Sequence, residues 1–196
     1  GSWQPCEEST SDPNATSSTY QQRHGFVFEV PALAEGPSEA RPILEMGRFN
    51  HEATAVDPRT GIVYETEDTG DSLFYRYIPH QRGQLLLGGR LQALMLRDFP
   101  AGVETGKGFL GKLNQPLAAE WVDIPNPDPS DNSLANSTRG QGQAQGAARF
   151  VRGEGMWYGD GLIYFCCTSG GGIGAGQVGA YDPVREAVTL VVEWTD

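Results

Sequence analysis

An all-β chain forming a partial β-propeller is what three observations predict. The 196 residues include 26 Gly and 13 Pro, and long apolar segments of helical period are scarce, so short strands and turns must supply the core. Residues 49–79 read as three short strands separated by polar turns. A second stretch, starting near residue 148, repeats that pattern.

Taken in order, residues 1–8 read as a short strand, 9–23 as a polar loop, 24–30 as a strand and 31–40 as a linker rich in Pro, Ala and Glu. The central meander opens with a strand carrying His51 and Glu52. It turns at Asp57-Pro58-Arg59-Thr60-Gly61, where Pro presets the backbone and Gly accepts a positive φ. Ile62-Val63-Tyr64 is β-branched and aromatic and runs into the acidic cluster Glu65-Thr66-Glu67-Asp68; a third strand follows over 72–78 and Pro79 ends it. Residues 84–96 are apolar around Gly88-Gly89, which predicts a hairpin, because two glycines cost a helix about 2 kcal/mol. Residues 119–124 form a strand containing Trp121, and 125–148 are a long polar loop with little to bury. The second meander places strands over 148–152, 155–158, 162–168, 177–181 and 188–194.

The two meanders match internally. Glu52, a turn and Gly61-Ile62-Val63-Tyr64 parallel Glu154, a turn and Gly161-Leu162-Ile163-Tyr164, and the two glutamates are 102 residues apart. Two four-stranded propeller blades at about 40–50 residues each account for that separation. Strand counting gives about three to four blades, too few to close a ring. The abrupt ends point the same way, and the chain is read as one partial propeller domain over 1–196, a piece of a longer protein that is inactive alone.

A net charge of -11 leaves no basic stripe to neutralise a nucleic-acid backbone. No apolar run is long enough for a membrane helix, and no export segment opens the chain. Cys6, Cys166 and Cys167 are odd in number and lack framework spacing, which argues against a disulfide scaffold. Residues 174–179 match the dinucleotide-binding glycine pattern, yet Asp182-Pro183 arrives too soon for the helix that pattern needs. Trp3, Trp121, Trp157 and Trp194 are expected to pack between blades.

Four separated motifs, Ser2-Trp3-x-x-Cys6-Glu7-Glu8, Gly47-Arg48-Phe49-x-His51-Glu52-Ala53-x-Ala55-Val56-Asp57-Pro58, Thr66-Glu67-Asp68-x-Gly70-Asp71-Ser72 and Arg152-x-Glu154-Gly155, resemble PhoX-type alkaline phosphatases in the same order. The resemblance is weakest over 9–45 and 80–145. It implies a six-bladed propeller whose central site holds iron and calcium and hydrolyses phosphomonoesters, in a protein exported across a bacterial membrane. The sequence departs from the pattern in the short gap between Cys6 and Glu52, in Gln4-Pro5 and in Cys166-Cys167.

Glu7, Glu52, Glu67, Asp68 and Glu154 fall at strand ends that a propeller turns toward one axis. Clustered carboxylates repel one another, so either their pKa values rise or a cation sits among them. Calcium suits such an oxygen set, and a Cys6 thiolate suits iron. The commonest role of any one such acid is a solvated loop charge. The resemblance turns the reading toward metal ligands for Cys6, Glu52 and Glu154, with Glu7, Glu67 and Asp68 joining them. Arg152, two residues before Glu154, has a planar fork that suits phosphate oxygens, although a surface ion pair is its ordinary role. Asn50 and His51 are placed to touch substrate or to orient Glu52. A small phosphomonoester is the expected substrate and the remaining blades the expected partner. Two alternatives stay open: a calcium-binding propeller without catalysis, and a calcium-dependent lactonase or esterase.

Overall fold

The structure, a computed structural model, describes residues 24–106, 114–130 and 133–195. Among these the chain is all-β apart from short 3-10 turns and one brief helix. The strands are β1 (His51–Val56), β2 (Val63–Glu67), β3 (Phe74–Pro79), β4 (Gly89–Leu96), β5 (Pro116–Asp123), β6 (Gly153–Gly159), β7 (Leu162–Cys167), β8 (Gln177–Asp182) and β9 (Ala187–Glu193). They hydrogen-bond in the order β1-β2-β3-β4-β5-β9-β8-β7-β6, with every pairing antiparallel. Two four-stranded meanders, β1 to β4 and β6 to β9, are joined through β5. This is the all-β, partial-propeller architecture that the sequence predicts, built from a repeated four-stranded unit.

The sheet curls until it is nearly closed. Thr66 Oγ1 in β2 donates to Glu154 O in β6 at 2.6 Å, and Ser72 Oγ donates to Phe150 O at 2.8 Å. That approach needs Gly153, whose added Cβ would lie 3.1 Å from Glu67 O and 3.2 Å from Thr66 Cβ. The turn over 57–61 forms as read, with Gly61 at φ +77° and its N–H donating to Asp57 O.

Strand alternation sorts the side chains into two layers. Tyr64 and Phe74 face the interior of the curl and meet Phe165 and Tyr181 of the second meander, with Phe150 just before it, in one core. Glu65, Glu67, Tyr75 and Tyr77 face the other way, beneath the segments that carry Met46, Phe49 and Ala147. Both faces of β2 and β3 are therefore covered, which is why all five residues of β2 are buried, carboxylates included.

Several expectations need correction. Residues 24–30 contribute only an isolated bridge between Phe28 and Pro42. Residues 84–96 are not a hairpin: a 3-10 turn over Leu85–Leu87 leads into β4, and the glycines sit at the reversal between β3 and β4. Part of the loop 125–148 is a helix, α1 (Thr138–Gln143), capped by Ser137, whose side chain accepts from Gly140 N. Apolar periodicity gives no hint of it, because it packs through glycine: a Cβ on Gly142 would lie 2.6 Å from Leu73 Cδ1. Trp121 packs as expected, donating to the Tyr181 hydroxyl at 3.2 Å, whereas Trp157 is 74% exposed and Trp194 49% exposed. Glycines 174 and 176 lead into β8 rather than a helix. Cys166 and Cys167 are free thiols, and residues 1–23, with Cys6, lie outside the described residues.

Candidate metal centre

The first strand of each meander carries a one-residue irregularity at the same place. Pairing shifts between His51 and Thr54 in β1 and between Gly153 and Met156 in β6. The residues inside those shifts include Glu52 and Glu154. A β-bulge breaks the alternation and re-aims a side chain, and bulges gather beside functional sites. The internal repeat thus delivers two glutamates from the two outer strands where those strands face each other.

Asp68 completes the group. It follows β2, and alternation turns it away from Glu67 toward β6. One carboxylate oxygen from each of Glu52, Asp68 and Glu154 lies within 4.8 Å of the others. Three carboxylates at such distances disfavour being charged together unless positive charge sits among them. Arg152 supplies some: its Nε donates to Asp68 Oδ1 at 2.8 Å, its Nη2 to Asp68 Oδ2 at 3.0 Å, and Nη2 also lies 2.8 Å from Glu154 Oε1. The hydrogen bond to Asp68, together with the surrounding carboxylates, raises the guanidinium pKa further. These four groups still carry two net negative charges, and an all-oxygen donor set of this kind fits a hard divalent cation.

The backbone beneath is held firmly. Asn50 brackets Asp68, its carbonyl accepting from Asp68 N at 2.9 Å and its Nδ2 donating to Asp68 O at 3.3 Å. Arg152 takes the left-handed conformation, φ +55°, with its N–H donating to Thr69 O at 2.9 Å and its carbonyl accepting from Thr168 N at 3.0 Å. Thr168 Oγ1 donates to Glu154 Oε1 at 3.0 Å.

A family model described as Alkaline phosphatase PhoX matches residues 1–195. The chain belongs to this PhoX family. No curated protein matches the sequence. A structure titled Pseudomonas fluorescens PhoX in complex with vanadate, a transition state analogue, is similar at 19% identity and a TM-score of 0.49, over 76% of this chain and 32% of that one. The chain therefore spans about a third of the length of that PhoX protein.

Within this PhoX chain, the structure brings together Glu52, Asp68, Glu154, Arg152 and Asn50. It does not bring Glu67 to them, and that reading is corrected. Glu67 points to the opposite face of β2, where it accepts from the Tyr75 hydroxyl at 2.9 Å and from Leu73 N at 3.3 Å, with Arg139 Nη1 of α1 at 3.5 Å. His51 turns the same way. Its ring stacks on Phe49 at 3.6 Å, Nε2 meets Gly47 O at 3.1 Å, and Nδ1 lies 3.2 Å from Glu65 Oε2, within ion-pair distance but off the hydrogen-bond angle. Burial raises the pKa of Glu65, against the pull of His51. Cys6 and Glu7 lie outside the described residues. The sequence reading places Thr168 only at a strand end and gives α1 no role. Thr168 had a signal, since it stands 102 residues after Thr66, the same offset as Glu154 from Glu52.

Burial pushes the Glu67 pKa up to about 7, against the lowering influence of Arg139, Tyr75 and the Leu73 N–H. The folded state then holds this proton more tightly than the unfolded chain, so Glu67's contribution to stability falls as pH rises from about 4.5 to about 7. Glu67→Gln removes that dependence. Urea unfolding at pH 5 and pH 8 is expected to show the variant gaining on the wild type by about 2.5 kcal/mol across the interval.

Proposed function

We propose that this chain forms part of a metal-dependent phosphomonoesterase that releases phosphate from small organic phosphate esters. The observation that carries the reading is the convergence of Glu52, Asp68 and Glu154 beside Arg152, in a chain of the alkaline phosphatase PhoX family. The three carboxylates would hold calcium. The Cys6 thiolate would suit iron, with Glu7 beside it in the same motif as a further candidate metal ligand. When bound, such cations polarise phosphoryl oxygens and offset the charge that builds up as phosphate departs.

The chain's own residues do the placing. Glu52 and Glu154 reach the centre because bulges re-aim them. Asn50 fixes the backbone of Asp68, and Thr168 holds one oxygen of Glu154. Arg152 presents a planar guanidinium at the same point, where two parallel N–H donors match the oxygens of a phosphoryl group. Family membership further supports an exported protein. Among the described residues no helix is long and apolar enough to cross a membrane.

Elemental analysis of the purified full-length protein, alongside hydrolysis of a generic phosphomonoester before and after chelation, tests the proposal. Near-stoichiometric iron and calcium are expected, with phosphate release abolished by chelation and restored when the metals return. Calcium without iron and no phosphate release would instead describe a calcium-binding module.

A further inference from the structure

Arg152 occupies a position that a bound cation would contest. Its guanidinium spans Asp68 and Glu154, two of the three carboxylates that would ligate the metal, through contacts of 2.8, 3.0 and 2.8 Å. A divalent ion seated among Glu52, Asp68 and Glu154 would draw on the same carboxylates and place a second positive centre close to the guanidinium.

We propose that Arg152 is the internal counter-ion of this centre, neutralising Asp68 and Glu154 and swinging aside when a cation binds. The inference rests on the metal reading above and adds the regulation of that site. Three features make the exchange a side-chain movement. The Arg152 backbone is pinned at both ends, by Thr69 O and Thr168 N, in a left-handed conformation that neighbouring structure must hold in place. Its side chain is 46% exposed, so it has an open path into solvent. Glu154 keeps its bond from Thr168 Oγ1 when the guanidinium leaves, so the ligand stays aimed while its partner changes. A compact divalent ion brings twice the charge of the guanidinium into the same carboxylate set, which favours the exchange. The phosphate-facing role of Arg152 then becomes conditional on the cation, because the fork is engaged by the chain's own acids until the metal releases it. This linkage is reciprocal: whatever the cation gains by displacing Arg152, the freed guanidinium offers to an incoming anion.

The test is a Ca2+ titration of the wild-type chain and of Arg152→Gln, followed by calorimetry and by the Arg152 side-chain Nε–H resonance, which the variant assigns by its loss. In the wild type, the Nε–H proton is expected to exchange slowly without Ca2+, because Asp68 accepts its bond. At saturation the resonance should shift and exchange about ten-fold faster. Arg152→Gln should bind Ca2+ about three- to ten-fold more tightly, since no competing cation remains. If Ca2+ binds, the Nε–H resonance stays unchanged and Arg152→Gln binds equally or more weakly, then Arg152 is a fixed part of the site and the exchange is wrong. If neither chain binds Ca2+, the metal reading itself fails and the exchange fails with it. Removing a charge does not by itself account for a supporting result, because it is loss of the Asp68 bond that makes the Nε–H proton exchange faster as Ca2+ is added.

Discussion

Replacing Glu154 by Gln is expected to weaken Ca2+ binding by about 10- to 100-fold, at least the loss that follows when a residue merely supporting a metal ligand is removed. The amide keeps nearly the same shape but carries no charge, so the three-carboxylate centre falls to two while Arg152 stays beside it. Thr168 Oγ1 and Arg152 Nη2 both meet Glu154 Oε1, and the substitution also disturbs that arrangement. A matched control is Glu120→Gln. Glu120 pairs with Arg97 at 2.7 Å on β5, outside the centre, and its loss changes the net charge of the chain by the same amount. Isothermal titration calorimetry should find the control unchanged. Equal losses in the two variants would mean that Ca2+ responds only to the overall acidity of the chain.

Phe74→Ala is expected to produce the largest loss of stability, about 3–5 kcal/mol. Phe74 is 1% exposed and stands at the centre of the aromatic core, with ring centroids 4.7 Å from Phe165, 6.0 Å from Tyr64 and Tyr181, 6.1 Å from Trp121 and 6.2 Å from Phe150. Phe150, Phe165 and Tyr181 belong to the second half of the chain and Tyr64 to the first meander, so truncating Phe74 empties the space between the two halves. For a chain of this size the melting temperature should fall by roughly 10 °C. Calorimetry should show one transition moving as a whole, because one core serves both meanders. Two separate transitions, only one of them displaced, would contradict the shared core.

The strands were legible because their signals are local. Ile62-Val63-Tyr64, Gly161-Leu162-Ile163-Tyr164 and the turn at Asp57-Pro58-Arg59-Thr60-Gly61 carry β-branched residues and punctuation in the chain itself, and the Glu52 and Glu154 repeat is visible as spacing. What could not be read depends on distant contacts. Helix α1 has no apolar stripe and exists through its cap and through glycines pressed against Leu73 and Leu134. Glu67 and Asp68 looked alike as neighbouring acids at a strand end, yet one residue of alternation sends Glu67 to Tyr75 and Asp68 to Arg152. The bulges at Glu52 and Glu154 are pairing shifts, defined only when the partner strand is in place. The nearness of Arg152 to Glu154 in sequence points to an anion contact, whereas its engagement by Asp68 joins residues 84 positions apart.

Locating the cation is the measurement that bears most directly on the centre. Anomalous diffraction from crystals of the chain grown with Ca2+ should show a single strong peak within bonding distance of Glu52, Asp68 and Glu154, and the peak should be absent in crystals of Glu154→Gln. A peak elsewhere, with Arg152 still bridging Asp68 and Glu154, would contradict the account.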